Sequence, residues 1–256
     1  MAGELAGRTV VVTGGASGNG RAIALACARE GANVVVADLR EDPREGGRPT
    51  HVEAAERHGH GARFVRCNVR DPANLEAAVE AAEAFGGVDV LVANAGVLQK
   101  RPLLEITESD YAFVMDVNLK GVLFAAQAAA RRMVPRRRGA IVMLASIAGL
   151  RGTGGYALYN ASKGAVRLLT SSLADELGPS GVRVVSVCPG IIDTQMNVVD
   201  DPLIGTEAGE RYRDQIPLRR WGRVDEVAEA IVFLACDRAS YLTGTSLTID
   251  GGYLRI

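Results

Sequence analysis

The chain has 256 residues, of which 48% are hydrophobic and 5% aromatic, and its formal net charge is −1 at pH 7. This length predicts one α/β domain over residues 1–256. A charge this close to zero gives no reason to expect nucleic acid or an anionic membrane as a partner. The chain opens with no secretory leader, and no apolar run approaches the length of a membrane span, so a soluble cytoplasmic protein is expected.

The first predicted unit is a strand, a glycine-rich turn and a helix. Residues 9–12 form a β-branched run typical of a buried strand, residues 13–20 form the turn, and an alanine-rich stretch follows. Glycine lets the backbone approach a ligand closely, and the free N–H groups that begin a helix attract an anion. The unit therefore predicts a pyrophosphate site. A loop that merely turns a corner is the alternative, and the strand–turn–helix order disfavours it.

The second predicted strand, residues 33–37, ends at Asp38. An acid about 20 residues beyond such a turn can accept hydrogen bonds from an adenosine ribose. Its charge would repel a 2′-phosphate, so NAD(H) is expected as the cofactor rather than NADP(H). Arg40 and Arg21 are close enough in sequence to weaken that preference. The alternative is a surface carboxylate that closes a strand.

The rest of the chain continues to alternate between strands and helices. Further strands are predicted at 63–67, 88–93, 140–145, 182–187 and 246–249, and helices at 19–30, 51–59, 73–85, 108–134, 157–178 and 224–236. This order predicts an α/β fold, a Rossmann-type doubly wound parallel sheet of about seven strands with helices on both faces. The stretch from Glu41 to His51 is interpreted as a lengthened loop, and a tolerated insertion is favoured over a role in cofactor affinity.

Ser146, Tyr159 and Lys163 are the candidate catalytic residues. Residues four apart share one face of a helix, so the Lys163 ammonium can lie beside the Tyr159 phenol. Lowering a tyrosine pKa from about 10 to about 7 or 8 takes roughly 3 to 4 kcal/mol, which an ammonium and a bound nicotinamide cation can supply. Tyr159 could then exchange a proton with a substrate oxygen. A surface lysine on an amphipathic helix, and a serine in a turn, are the alternatives.

Together these motifs resemble those of the short-chain dehydrogenase/reductase family along essentially the whole chain. The matching residues are Thr13–Gly20, Asn94-Ala95-Gly96, Asn118, Ser146, Tyr159-x-x-x-Lys163, Pro189-Gly190 with Thr194, and Asp250-Gly251-Gly252. The resemblance implies Tyr159 as acid/base, Lys163 as the group that lowers its pKa and binds the nicotinamide ribose, and Ser146 as a substrate-positioning hydroxyl. It also implies that Asn118 holds a helix kink and a proton-relay water.

The resemblance further implies a set of dinucleotide contacts. Ile192 and Thr194 would contact the nicotinamide carboxamide, and Asn68 and Val69 would flank the adenine. The full implied set is Gly14, Ser17, Gly18, Asn19, Gly20, Asp38, Leu39, Asn68, Val69, Asn94, Ala95, Gly96, Tyr159, Lys163, Pro189, Gly190, Ile192 and Thr194. Three positions depart from the usual pattern: Asn19 replaces an apolar residue, Ala93 an asparagine and Asn68 an aspartate.

The substrate side of the site has fewer markers. Ile147, Ala148 and residues 153–156 are expected to line a pocket, and residues 195–216, which lack clear periodicity, are interpreted as a lid. Leu98, Met196 and Val198 indicate an apolar lining, and no basic residue obviously awaits a carboxylate, so a neutral alcohol or ketone is expected. No metal site is expected, and the cysteines at 27 and 188 are interpreted as reduced and buried.

Three hypotheses follow. The first is an NAD(H)-dependent enzyme that interconverts a secondary alcohol and a ketone. The second is a 3-oxoacyl-[acyl-carrier-protein] reductase, and the third is a dinucleotide-binding sensor without turnover. The resemblance also implies a homotetramer that pairs helices 108–134 and 157–178 and uses the segment from Ser246 to Ile256; the alanines of those helices would permit close approach or simply face the sheet.

Overall fold

The computed structural model describes residues 3–255. Within them, seven parallel strands form one sheet in the order β3-β2-β1-β4-β5-β6-β7. The strands are β1 Thr9–Thr13, β2 Asn33–Asp38, β3 Ala62–Arg66, β4 Val90–Ala93, β5 Gly139–Leu144, β6 Val182–Pro189 and β7 Ser246–Ile249. The predicted doubly wound parallel sheet is confirmed. Ile256, which ends the segment expected at a subunit contact, lies outside the described residues.

Helices cover both faces of this sheet. They are α1 Gly18–Arg29, α2 Thr50–His58, α3 Pro72–Glu80, α4 Glu108–Met115, α5 Gly121–Arg136, α6 Ala157–Leu177, α7 Glu207–Arg213 and α8 Val224–Ala235. Alternate residues of a strand point to opposite faces, so Val10 and Val12 pack against the side that holds α1 and α8, while Val11 packs against the side that holds α3, α5 and α6.

The order of the sheet reverses between β1 and β4. Val11 of β1 lies opposite Val35 of β2 on one side and Leu91 of β4 on the other. The connection after β1 leads to β2 on one side, and the connection after β4 leads to β5 on the other side. A crevice therefore opens between them at the carboxyl ends of the strands, where open α/β sheets bind ligands. The glycine-rich turn and Asn94 both follow strands that end at this crevice.

The helix predicted at 108–134 contains an irregularity. A π-helical turn, Asp116–Lys120, separates α4 from α5 and carries the buried Asn118. Each π turn admits one extra residue and bends the helix locally. The π-helical turn lies where the resemblance implies a kink at Asn118.

This same helix corrects one expectation. Residues 108–136 form a helix that is long and apolar enough to span a membrane by length and composition, so the statement that no apolar run approaches that length is wrong. Its side chains Val122, Ala125, Ala129 and Met133 are buried in the core against the sheet. Burial against the sheet accounts for its apolar composition.

The predicted lid also contains regular structure that the sequence pattern did not indicate. Met196–Asp200 form a π-helical turn, and α7 follows after a short connection. Thr206 caps α7, because its side chain accepts a hydrogen bond from the Gly209 N–H at 3.0 Å. Elements of five and seven residues are too short to show a helical period, which explains why they were missed.

Candidate active site

The glycine-rich turn adopts a shape that requires glycine. Gly14 and Gly18 have φ values of +64° and +54°, in the left-handed region. A Cβ on Gly20 would lie 1.9 Å from the carbonyl oxygen of Gly14, a separation that no side chain permits. Helix α1 therefore begins pressed against the turn, with its first N–H groups directed into the crevice.

Asn94 fixes this turn to the next strand. Its side-chain amide donates to the carbonyl oxygens of Thr13 and Gly14 at 2.9 and 3.1 Å, while the N–H groups of Asn94 and Ala95 donate to the Thr13 hydroxyl at 3.0 and 3.2 Å. A half-buried amide that is satisfied in this way holds two loops in one arrangement. Ala93, which replaces the family's first asparagine, is buried at the end of β4.

Asp38 lies at the carboxyl end of β2, as predicted. Its carboxylate accepts a hydrogen bond from the Ala16 N–H at 3.0 Å, which holds it beside the glycine-rich turn. The neighbouring Leu39 is exposed. Arg21 is engaged elsewhere: its guanidinium donates to Glu53, and to the Arg48 carbonyl oxygen at 2.9 Å. Arg21 is therefore not available to weaken the NAD(H) preference. Arg40 has no ion-pair partner within residues 3–255, so it is the arginine that remains available for this role.

Asn68 and Val69 follow the end of β3, on the side of the crevice expected to hold adenine. The Asn68 side-chain oxygen accepts from the Arg70 N–H at 3.1 Å, and the Asn68 N–H donates to Asn74 at 3.1 Å. Val69 is buried against Gly121 at the start of α5. Asn68 is thus held in place by local hydrogen bonds.

Ser146, Tyr159 and Lys163 come together at the carboxyl end of β5. The Lys163 Nζ lies 5.8 Å from the centre of the Tyr159 ring, so both side chains are on one side of α6. The Ser146 hydroxyl, which accepts from the Ala148 N–H at 3.1 Å, lies near enough to the Tyr159 phenol to oppose the rise in its pKa. The arrangement predicted from the four-residue spacing is therefore present.

Burial shifts the pKa values of both titratable groups of this set. Burial raises the pKa of Tyr159 above its ordinary value, and the hydrogen bond with Ser146 opposes that rise. Burial also lowers the pKa of Lys163 to about 8. Desolvation of the phenol outweighs the effect of Ser146, and the depression expected from Lys163 together with a bound nicotinamide cation stays a prediction.

Lys163 is held by its surroundings. Its Nζ donates to the Leu144 carbonyl oxygen at 2.7 Å, and a Cβ on Gly96 would lie 3.5 Å from the same nitrogen. A side chain at position 96 would therefore press on the Lys163 ammonium, and glycine avoids that contact. This placement fits the implied role in binding the nicotinamide ribose.

Asn118 is fully buried in the π-helical turn. Its amide donates to the Val97 carbonyl oxygen at 2.9 Å and to the Ser162 hydroxyl at 3.2 Å, and its oxygen accepts from the Val97 N–H at 2.8 Å. The Ser162 hydroxyl in turn donates to the Tyr159 carbonyl oxygen at 2.8 Å. Asn118 therefore connects α6 to the segment after β4 and positions the candidate catalytic residues.

The remaining implied cofactor contacts line the opposite wall. A Cβ on Gly18 would meet Thr194 at 3.5 Å, so Thr194 lies across from the glycine-rich turn. Ile192 is buried, and Gly190 packs tightly on Asp250 after Pro189 ends β6.

One further observation, at Asn19, agrees with a dinucleotide at this site. The Asn19 side-chain oxygen is buried without a hydrogen-bond partner among the described residues. A buried acceptor of this kind is suited to a donor on a ligand, such as a hydroxyl or an amide N–H.

Lys100, which the sequence pattern did not indicate, lies on the substrate side beside two predicted segments. The Tyr156 hydroxyl donates to Asp201 of the predicted lid, and the Lys100 Nζ lies 5.7 Å from the centre of the Tyr156 ring. A basic group is therefore present beside the predicted pocket lining, contrary to the expectation that none awaited a substrate. The contact joins positions 56 residues apart, which no local pattern indicates.

Other titratable groups do not form a metal site in the part of the chain that the structure describes. All four cysteines are free and buried, which confirms the interpretation for Cys27 and Cys188. Burial raises the pKa of the Cys27 thiol to about 12, so this thiol is unreactive at neutral pH.

Burial of Lys163 makes stability depend on pH. Its pKa is about 8 in the folded chain and ordinarily 10.5, so between these values the unfolded state binds more protons and the free energy of unfolding rises with pH. We expect this rise to disappear in Lys163→Met: its stability relative to the parent should fall by about 2 to 3 kcal/mol from pH 7 to pH 10. Urea denaturation across this range measures the difference.

The matched control is Lys100→Met, which removes an exposed lysine. Its stability difference from the parent should be the same at both ends of the pH range. A Lys163→Met difference that does not change with pH would mean that Lys163 ionises as it does in the unfolded chain.

The geometry agrees with comparisons to known proteins. A family profile described as enoyl-(acyl carrier protein) reductase matches residues 14–254. The chain is 42% identical to L-rhamnose 1-dehydrogenase (NAD(P)(+)) of Azotobacter vinelandii over 96% of each chain. Among solved structures, a short-chain type dehydrogenase/reductase from Mycobacterium marinum is 34% identical, with a TM-score of 0.86 over 97% of this chain and 96% of that one.

A second solved structure bears on the cofactor. A protein from Agrobacterium tumefaciens with bound NADP is 34% identical to this chain, with a TM-score of 0.88 over 98% of both chains. The matches extend across the glycine-rich turn, the crevice and α6. The chain therefore belongs to the short-chain dehydrogenase/reductase family.

Proposed function

We propose that the chain is an NAD(H)-dependent oxidoreductase that interconverts a secondary alcohol and a ketone, with Tyr159 as acid/base. The observation that carries the proposal is the position of the Tyr159 phenol, beside Ser146 and Lys163 and in the same crevice as the glycine-rich turn. A bound nicotinamide dinucleotide would supply or accept the hydride. The chain's own residues manage the proton.

Tyr159 and Ser146 act on the substrate oxygen. Burial keeps the phenol protonated in the cofactor-free chain, which suits donation to a ketone oxygen as that oxygen gains negative charge. In the reverse direction the phenolate accepts the hydroxyl proton of the alcohol. The Ser146 hydroxyl, aligned by the Ala148 N–H, holds the oxygen within reach of the phenol.

Lys163 supplies charge. Its pKa of about 8 leaves it mostly protonated at neutral pH, and its ammonium stabilises a developing phenolate 5.8 Å away, measured to the ring centre. Above that pKa the charge is lost, so the stabilisation of the phenolate weakens as pH rises.

The preference for NAD(H) rests on Asp38. Its carboxylate is held at the turn by the Ala16 N–H, close to where an adenosine ribose would lie. The two comparisons that name a cofactor include NADP, so Arg40 is the residue by which this chain could accept a 2′-phosphate.

We propose a neutral secondary alcohol or ketone as the substrate. The relative from Azotobacter vinelandii is a dehydrogenase of L-rhamnose, a neutral sugar, which supports a substrate without charge. Lys100 at the pocket rim is directed over Tyr156, and Tyr156 is joined to Asp201. The rim therefore contains both a positive charge, on Lys100, and a negative charge, on Asp201. A substrate anion would gain little electrostatic attraction from such a pair.

A carrier-protein reductase is the second candidate. The name of the matching family profile includes an acyl carrier protein. Asp38 argues against a 3-oxoacyl reductase that uses NADPH. A sensor without turnover has no need of Ser146, Tyr159 and Lys163 in this arrangement. Kinetics with a free ketone and with a carrier-bound one distinguish the first two candidates.

Removing the phenolic hydroxyl tests the proposed chemistry. We expect Tyr159→Phe to lower kcat by about 100-fold or more, because proton transfer contributes an effect of that order. NADH affinity, measured by fluorescence titration, should stay nearly unchanged. The control Tyr241→Phe alters a fully exposed tyrosine and should behave as the parent. An equal loss of NADH binding in Tyr159→Phe would assign that residue a structural role.

Two opposed variants test the cofactor preference. We expect Asp38→Ala to lower the ratio of kcat/KM for NAD(H) over NADP(H) by about tenfold, since it removes the repulsion of a 2′-phosphate. Arg40→Ala should raise the same ratio. A parent enzyme that already works better with NADPH would contradict the role of Asp38.

We also propose a homotetramer. The alanines at 125, 126, 128 and 129 are buried in the chain's own core, so they do not form a contact between subunits. The exposed apolar side chains on α4, α5 and α6 are suited to that contact instead. They are Tyr111, Phe113, Leu123 and Leu168.

Light scattering tests the assembly. We expect the parent to have the mass of a tetramer and the double variant Phe113→Arg/Leu168→Arg to have a lower mass, because a buried unpaired charge opposes association. Circular dichroism of the variant should show an unchanged fold. A monomeric parent would contradict the proposal.

A further inference from the structure

The loop between β2 and α2, residues 39–49, covers part of the crevice. It overlaps the stretch from Glu41 to His51 that was predicted as a lengthened loop and a tolerated insertion; Thr50 and His51 belong to α2 instead. Two adjacent residues of this loop, Arg44 and Glu45, contact the glycine-rich turn, and Arg44 also contacts the predicted lid. Contacts with both the glycine-rich turn and the predicted lid are not expected of an insertion that is merely tolerated.

Glu45 binds the first backbone N–H group of α1. Its carboxylate oxygen accepts a hydrogen bond from the Gly18 N–H at 2.9 Å. This is the end of the helix where an anion is stabilised by free N–H groups and by the helix dipole. A cavity of about 380 Å³ lies beside this contact and is lined in part by Gly18, Glu45, Thr194 and Val198.

Arg44 joins the same loop to the lid. Its N–H donates to the Ser17 hydroxyl at 2.8 Å, and its guanidinium forms a bidentate ion pair with Asp200 at 2.6 and 2.7 Å. The pair raises the pKa of Arg44 and lowers that of Asp200. The next lid residue, Asp201, is bound by the Tyr156 hydroxyl. Together these contacts extend across the crevice.

The loop can move away from these contacts. Gly46 and Gly47 follow Glu45 directly, with φ values of +81° and +96°, and a Cβ on Gly46 would meet nothing within 4 Å. Glycines in open space allow large backbone rotations at little steric cost. They are placed where a hinge for Arg44 and Glu45 would be needed.

We propose that residues 39–49 are a latch that closes the crevice in the cofactor-free chain. Glu45 occupies the anion position of the glycine-rich turn, and Arg44 holds the lid through Asp200. Entry of a dinucleotide displaces the Glu45 carboxylate from the Gly18 N–H and replaces one anion with another. The inference rests on the proposed use of a nicotinamide dinucleotide.

Glu45→Gln tests the latch. The variant keeps the size of the side chain and removes its charge, so NADH and NADPH should each bind with a Kd lower by on the order of threefold to tenfold. Both probes carry a pyrophosphate, so both should respond. Fluorescence titration of the full chain, without substrate, measures the affinity.

Glu41→Gln is the matched control. Glu41 is in the same loop, and its carboxylate faces His51 at 3.4 Å rather than the glycine-rich turn. Glu41→Gln makes the same change in net charge as Glu45→Gln, and its Kd values for NADH and NADPH should equal those of the parent. An equal tightening in both variants would mean that general electrostatics is responsible, and would overturn the latch.

The ion pair has its own test. Stopped-flow mixing with NADH should show faster association for Arg44→Gln, because the lid is released. The charge-swapped double variant Arg44→Asp/Asp200→Arg should restore the slow rate. A Glu45→Gln variant with unchanged or weaker binding overturns the latch but leaves the proposed function intact. A chain that binds neither cofactor in any variant overturns both.

Discussion

The close approach of α1 to the glycine-rich turn is the constraint on which the site depends. It requires glycine at position 20, where a Cβ would lie 1.9 Å from the Gly14 carbonyl oxygen. It also requires Asn94, whose amide binds the carbonyl oxygens on the same turn. These contacts fix the ends of β1 and β4, the two strands between which the sheet order reverses. The crevice and every candidate residue around it follow from that arrangement.

Burial of the candidate catalytic groups acts in two directions at once. It raises the pKa of Tyr159 and lowers the pKa of Lys163 to about 8, so the surrounding protein favours the neutral form of both groups. A positive charge that enters the crevice would oppose this tendency for the phenol. Asn118 and Ser162 hold α6 in the position where that charge would stabilise the phenolate form of Tyr159. The fold thus provides the geometry, and ligand charge completes the electrostatics.

The sequence predicted the features that depend on local pattern. Buried parallel strands are continuous apolar runs, and the four-residue spacing of Tyr159 and Lys163 places both on one helix face; the structure agrees with each. Contacts between distant segments were not predictable, because no periodicity marks them. Arg44 and Asp200 are separated by 156 positions, and Tyr156 and Asp201 by 45. The burial that raises the pKa of Tyr159 was not predictable for a related reason, since spacing reveals a neighbouring charge but not the desolvation around a phenol.

The long-range contacts converge on one short piece of chain. Asp200 pairs with a loop on the cofactor side, and Asp201 pairs with Tyr156 at the start of α6, on the catalytic side. Movement at either partner therefore changes what holds the lid. Arg44 and Asp200 are both about one-third exposed, so water can solvate the two charges when their bidentate ion pair opens. A predicted lid that is held by separate contacts on two sides can respond to cofactor and substrate separately.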